Sequence, residues 1–201
     1  MSAVLIGGAS RRMGVDKALI DFEGVALGRR VAEALGVDDG RTVLACGGSA
    51  EAAHSLGLEH LPDEAPASGP LLAIATVLRA FPGSDAIVAA CDLGGLDRAT
   101  VMLFEQWLSD EPYDVLVASA ERRQPLLARW SQSALPIIDQ VAGAGERSMN
   151  GALAKLKVAE LCVDASVTAN LNTPKDLECW RRSRTSGNSQ SVLASLPIDE
   201  C

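Results

Sequence analysis

The chain has 201 residues, a formal net charge of -8 and a pI near 4.8, and 48% of its residues are apolar. That length supports one substantial core, and the acidic balance argues against a nucleic-acid or anionic-membrane surface, either of which needs a dominant basic face. No apolar run approaches the roughly 20 residues that span a bilayer, and Met1-Ser2-Ala3 lacks the charged start of a secretory signal, so a cytoplasmic protein is expected.

The first apolar run, Ala3-Val4-Leu5-Ile6, has the length of a buried strand and opens directly into Gly7-Gly8-Ala9-Ser10-Arg11-Arg12-Met13-Gly14-Val15-Asp16-Lys17. Glycines at 7, 8 and 14 admit backbone conformations and close ligand approaches that a Cβ would obstruct, so successive amides can face a polyphosphate. Arg11, Arg12 and Lys17 add positive charge where anionic oxygens would lie. This is not a Walker A loop, because Val15-Asp16 separates Gly14 from Lys17 and Ala18 follows the lysine. By composition alone the run can also be a glycine-rich surface turn with a solvated basic cluster.

Further strand-length apolar runs follow at 42–46, 86–91 and 115–119. The stretches between them, near 27–36, 49–57, 70–80 and 97–109, have helical spacing or helix-forming composition, with Gly36, Gly57 and Pro82-Gly83 as stop signals. Alternating strands and helices predict an α/β fold, a Rossmann-like three-layer sandwich whose mostly parallel central sheet is covered on both faces. Ligands of such sheets bind outside the carboxyl ends of the strands. Gly7-Gly8 and Asp92 both fall at such ends.

The later part predicts a strand over 124–130, helices over 132–141 and 146–155, and a strand over 158–163. Pro174 suits the first turn of a final helix through Arg182, with Thr173 as N-cap and Asp176 near the positive end of the dipole. Residues 183–191 are Ser-rich and nearly devoid of apolar side chains. A single domain over 1–182 with a loosely held tail over 183–201 is therefore expected.

Cys46, Cys91, Cys162, Cys179 and Cys201 show no metal-ligand spacing, and their odd number argues against a complete disulfide framework. Cys46 and Cys91 read as small buried hydrophobes. His54 and His60 have no Cys or His partner nearby, so a zinc site is not expected.

Leu5, Gly7, Gly8, Ser10, Arg12, Met13, Gly14, Asp16 and Lys17 together resemble the N-terminal signature of the molybdenum cofactor guanylyltransferase family, with Ile6 where that family usually has alanine. Other matches extend the resemblance over roughly residues 3 to 180. Asp63 precedes Gly69-Pro70-Leu71, and Ala73 stands where the family has glycine. Cys91-Asp92-Leu93-Gly94 keeps the aspartate of the family's Cys-Asp-x-Pro and loses the proline. Gln124-Pro125-Leu126 follows Arg122-Arg123, and Gly145-Glu146-Arg147-Ser148 and Asn170-Leu171-Asn172-Thr173-Pro174 come later.

The resemblance implies an enzyme that transfers GMP from GTP to molybdopterin and releases pyrophosphate. Nucleotide contacts would come from Leu5, Gly7, Gly8, Ser10, Gly14, Lys17, Asp63 and Asp92, with guanine against the residues from Leu5 to Gly8 and phosphates above those from Arg12 to Lys17. Lys17, Asp92 and Arg12 would be catalytic. Asp92 would hold Mg2+, a hard ion that combines one or two carboxylates with substrate phosphates. Asp63 would touch the ribose or form the base-side wall. Arg147, Asn170 and Asn172 would face the pterin acceptor, since arginine forks onto phosphate and amides both donate and accept. Transient contact with a protein that delivers the cofactor is also implied.

Taken as residues alone, Asp92 can also cap the turn after its strand, Asn170 and Asn172 can bond a turn's backbone, and Arg147 can complement a helix surface. The competing functions are a CTP-dependent cytidylyltransferase, a sugar-phosphate nucleotidyltransferase and a non-catalytic nucleotide-binding relative. Gly7-Gly8 favours guanine by resemblance, because the cytidylyl branch tends to carry Ala-Ala there.

Overall fold

The computed structural model describes residues 1–7, 16–64 and 69–169. Strand β1 (Ser2–Leu5) precedes a short hairpin of β2 (Asp21–Phe22) and β3 (Val25–Ala26), followed by α1 (Leu27–Ala34) and β4 (Val43–Cys46). Next come α2 (Ala50–Ser55), β5 (Glu59–Leu61), α3 (Pro70–Ala80), β6 (Ala86–Ala90) and α4 (Arg98–Gln106). The remaining elements are β7 (Val115–Ser119), β8 (Arg123–Trp130), α5 (Ala134–Gly143), α6 (Met149–Leu153) and β9 (Val158–Cys162). Seven strands form one sheet in the order β5-β4-β1-β6-β8-β7-β9. Strand β8 runs antiparallel to β6 and β7, and the other pairings are parallel. The mostly parallel sheet is as expected. Strand β8 is reversed because residues 120–122 return the chain from β7 as a hairpin instead of a helical crossover.

The strands read as continuous apolar runs because both faces of the sheet are covered. Side chains alternate across a strand. Ala3 and Leu5 of β1 therefore enter one cluster with Leu71, Ile74 and Leu78 of α3 and Ile138 of α5. Val4 of β1 and Ile6, which follows it, enter the other with Val31 of α1, Ala52 of α2 and Phe104 of α4. The two clusters are the two helix layers of the sandwich.

Helix starts follow local chemistry. Ser49 accepts from Ala52 N at 3.1 Å and Asp97 from Thr100 N at 2.8 Å, while Pro70 occupies the first turn of α3, where a missing N–H costs nothing. Two elements were not expected. Strand β5 is a three-residue edge strand of exposed and half-buried residues, and the β2–β3 hairpin is shorter still, so neither leaves an apolar run to read. Cys162 is disulfide-bonded, a role its spacing did not assign. The expected final helix and the tail over 183–201 lie outside the described residues. Among the described residues no helix is long and apolar enough to cross a membrane.

The end of α3 depends on a side chain from the far side of β8. The amide nitrogen of Gln132 lies 2.9 Å from the carbonyl oxygens of Leu78 and Phe81 and 3.0 Å from that of Ser84, so its two N–H groups are shared between Leu78 O, which the helix end leaves without an intrahelical partner, and the turn that follows. Gln132→Ala is expected to lower the unfolding free energy by about 1–3 kcal/mol. Urea unfolding checks this, and an unchanged midpoint would show that water serves those carbonyls equally well.

Candidate active site

Four neighbouring strands end at one edge of the sheet. Leu5 pairs with Cys46 on one side and Ala90 on the other, and Cys46 pairs with Leu61. Gly7, Gly47, Asp63 and Asp92 lie just beyond these paired positions and emerge side by side. From β1 the chain builds β4 and β5 to one side, then crosses to β6 on the other. The crevice between β1 and β6 is thus a topological switch point, where ligands of open α/β sheets bind.

Asp92 is set by its strand and by the turn that follows. Cys91 N donates to Leu5 O at 3.2 Å and extends the β1–β6 pairing by one step. Leu93 is fully buried, its N–H donates to Ala90 O at 3.3 Å, and Leu96 N donates to Leu93 O at 3.0 Å. A core-anchored leucine and backbone bonds therefore shape the turn that has Gly94 where the family has proline. The Asp92 carboxylate meets Lys17 with Nζ–Oδ2 at 2.5 Å, and the two side chains are 16% and 21% exposed. This joins two of the three catalytic candidates, and both groups still reach solvent.

Local chemistry places the lysine. Asp16 caps the short 3-10 helix Lys17–Leu19 by accepting from Ala18 N at 3.1 Å. Ala18 is fully buried against α1, where Gly28 makes room: a Cβ there would lie 2.8 Å from Leu56 Cδ1 and 3.1 Å from Ala18 O. Asp16 and Ala18 thus hold Lys17 at the mouth of the crevice.

On the other side of β1, Gly7, Gly47, Gly48 and Asp63 form a close-packed wall. A Cβ on Gly7 would meet Gly48 N at 3.0 Å, and one on Gly47 would meet Asp63 Oδ2 at 2.9 Å and Gly7 Cα at 3.1 Å. Gly47 and Gly48 have φ of 75° and 63°, a left-handed region that side chains rarely adopt. A Cβ on Gly48 would lie 3.0 Å from Ile6 Cγ1. The bulk that Ile6 adds over the family's alanine therefore fills space that a side chain at 48 would need. Sequence reading missed Gly47-Gly48, although the signal was present: a glycine pair directly behind a short apolar strand, as at Gly7-Gly8.

Burial raises the Asp63 carboxyl above its ordinary range, opposed by the Cys46 thiol and by His60. The Cys46 thiol is pushed up to about 12, first by burial and then by the neighbouring Asp63 charge. It stays protonated at neutral pH, and its Sγ lies 3.8 Å from Asp63 Oδ1 and 3.6 Å from Ala73 O. Burial pushes Cys91 up to about 12 as well. Neither thiol suits nucleophilic attack, which needs thiolate.

The remaining candidates divide. The side chain of Leu5 is buried in the core, and its carbonyl accepts from Cys91, so it supports the edge from within. Arg147 is exposed between α5 and α6, where Glu146 accepts from Ser148 N at 2.7 Å and Ser148 caps α6 through Gly151 N at 3.0 Å. Gly8, Ser10, Arg12 and Gly14 lie outside the described residues, as do Asn170 and Asn172.

A carboxyl whose pKa is raised on folding favours the fold when protonated; that contribution is present below the unfolded value of 3.8 and is lost as pH rises through the folded value. Asp63→Asn is therefore expected to melt above the parent protein at pH 7, with the gap closing as pH falls through the raised folded value and gone below 3.8. Scanning calorimetry across that range checks it, and a gap independent of pH would contradict it.

A family profile described as MobA-like NTP transferase domain matches residues 2–159. The chain is 30% identical over 182 residues to the molybdenum cofactor guanylyltransferase of Pseudomonas putida (strain GB-1), covering 87% of this chain and 94% of that protein. It is 32% identical over 190 residues to the probable molybdenum cofactor guanylyltransferase of Synechococcus elongatus, covering 90% and 97%. The solved structure of molybdopterin-guanine dinucleotide biosynthesis protein A from Archaeoglobus fulgidus has the same fold, with a TM-score of 0.74 at 24% identity over 92% of this chain and 99% of that one. The profile match runs from β1 through Lys17, Asp63 and Asp92 to the start of β9, and the chain belongs to the MobA-like NTP transferase family.

Proposed function

We propose that this chain transfers GMP from GTP to molybdopterin, releasing pyrophosphate, in molybdenum cofactor biosynthesis. The observation that carries the proposal is the Lys17–Asp92 pair at the β1–β6 crevice, beside the Gly7–Gly47–Asp63 wall. Relatives named molybdenum cofactor guanylyltransferase along nearly their full length support it.

The acceptor phosphate is already ionised at neutral pH and can attack the α-phosphorus in line, so no protein base is needed. The chain's work is positioning and charge stabilisation. Lys17 and Asp92 form an ion pair in which each neutralises the other. Against a triphosphate the ammonium would turn to phosphate oxygens and counter the charge that develops during transfer. Asp63 and the glycine wall would hold the base or ribose, and Gly8, Ser10, Arg12 and Gly14 would line the phosphates. Arg147, Asn170 and Asn172 would meet the pterin side, with a cofactor-delivering protein as transient partner and the cytoplasm as the compartment.

A divalent cation suits Asp92. Among the described residues no group of three or more His, Cys, Asp or Glu could hold a metal, so phosphate and water would complete its shell, a donor set that fits Mg2+. When bound, Mg2+ would draw charge from the triphosphate.

The test is pyrophosphate release by purified protein with GTP, CTP or ATP, each with Mg2+ and with or without molybdopterin. Release is expected with GTP and molybdopterin together, and preference for CTP would overturn the guanylyl assignment. Lys17→Ala and Asp92→Ala are each expected to lower turnover by at least about a hundredfold. Near-parental turnover in either would sink its role.

A further inference from the structure

We infer that His60 is a positioning residue that fixes the Gly47-Gly48 turn and, through it, the place of the Asp63 carboxylate in the nucleotide site. The inference rests on the functional reading above.

His60 lies on β5, paired with Ala45 of β4, and its Nε2 is 3.1 Å from Gly47 O. A carbonyl oxygen only accepts, so Nε2 carries the proton and donates. On the other side, Gly47 N donates to Leu61 O at 3.0 Å. Both polar groups of the Gly47 backbone are thus tied to β5, one by the strand's own carbonyl and one by the imidazole.

The turn needs such outside support. Gly47-Gly48 is a dipeptide with minimal steric restriction, and both residues sit in the left-handed region. Its exact placement matters because a Cβ on Gly47 would lie 2.9 and 3.2 Å from the two Asp63 oxygens and 3.1 Å from Gly7 Cα. A shift of the Gly47 backbone by a fraction of an ångström is felt at once by the carboxylate and by the Gly7 wall. His60 bonds the Gly47 carbonyl on the β4–β5 side of β1, whereas the Lys17–Asp92 pair belongs to the β1–β6 crevice, so its effect falls on nucleotide binding and leaves phosphoryl transfer alone.

His60→Leu removes the donor and keeps a side chain suited to a strand, and His60→Gln keeps an amide N–H able to reach the same carbonyl. His60→Leu is expected to raise the GTP dissociation constant and KM about five- to tenfold, the worth of one hydrogen bond, with kcat within about twofold and Tm lowered by no more than about 5 °C. His60→Gln is expected to restore binding to within about twofold. If His60 acts through Asp63, His60→Leu combined with Asp63→Asn binds GTP no more weakly than Asp63→Asn alone.

Calorimetric GTP titration, melting curves and steady-state kinetics read these outcomes. Unchanged GTP affinity in His60→Leu, while Asp63→Asn weakens it, overturns this inference alone. A joint fall of kcat and Tm beyond those limits in His60→Leu, or no rescue by His60→Gln, also overturns it. Absence of GTP binding by the parent protein removes the guanylyl reading and this inference together.

Discussion

The interior place of β1 in the sheet, between β4 and β6, is the constraint on which the rest of the structure depends. Because β1 pairs with β4 on one side and β6 on the other, a single register aligns Leu5, Cys46 and Ala90. A parallel register with both faces buried cannot slip by one residue without turning a core face toward the wrong helix layer. The glycine wall, Asp63 and Asp92 inherit their mutual positions from that alignment. The site is therefore anchored in a fully covered strand of the core, even though its chemistry stands at the end of the sheet.

Two different electrostatic solutions sit on either side of β1. At the β1–β6 crevice a cation and a carboxylate are matched at 2.5 Å while still partly solvated, so neither is an uncompensated buried charge. On the β4–β5 side no lysine or arginine among the described residues forms an ion pair with Asp63. It is partly desolvated and supported by a thiol and a nearby imidazole, and its carboxyl is raised accordingly. A carboxylate held at some cost to the fold, against a wall that no side chain could share, is an arrangement that stability alone would not select. The departures from the family pattern are absorbed locally. Ile6 uses the space left by Gly48, and Leu93 anchors the turn where proline is missing.

Much of the fold was legible because burial on both faces leaves a strong mark. The runs at 3–6, 42–46, 86–91 and 115–119 are strands, and the helical stretches between them are helices, with ends displaced by a few residues. Strand β5 was not legible, since Glu59-His60-Leu61 pairs at an edge and carries its meaning in hydrogen bonds instead of apolar pattern. Gly47-Gly48 went unread for a related reason: glycine signals freedom of the backbone, and only its neighbours say what that freedom is used for.

The sequence by itself determined the layered α/β architecture, because hydrophobic periodicity is a local property of the chain, and its resemblance to a known family singled out Lys17, Asp63 and Asp92 as candidates. Tertiary structure alone decided which of these side chains meet. Lys17 reaches Asp92 through a capped 3-10 turn and a parallel pairing across β1 and β6. Asp63 reaches Gly7 and Gly47 through the pairing of β4 with β5, and His60 acquires its carbonyl partner in the same step. Such contacts depend on strand order and register, which are set by packing among segments far apart in the chain and leave no pattern within any one of them.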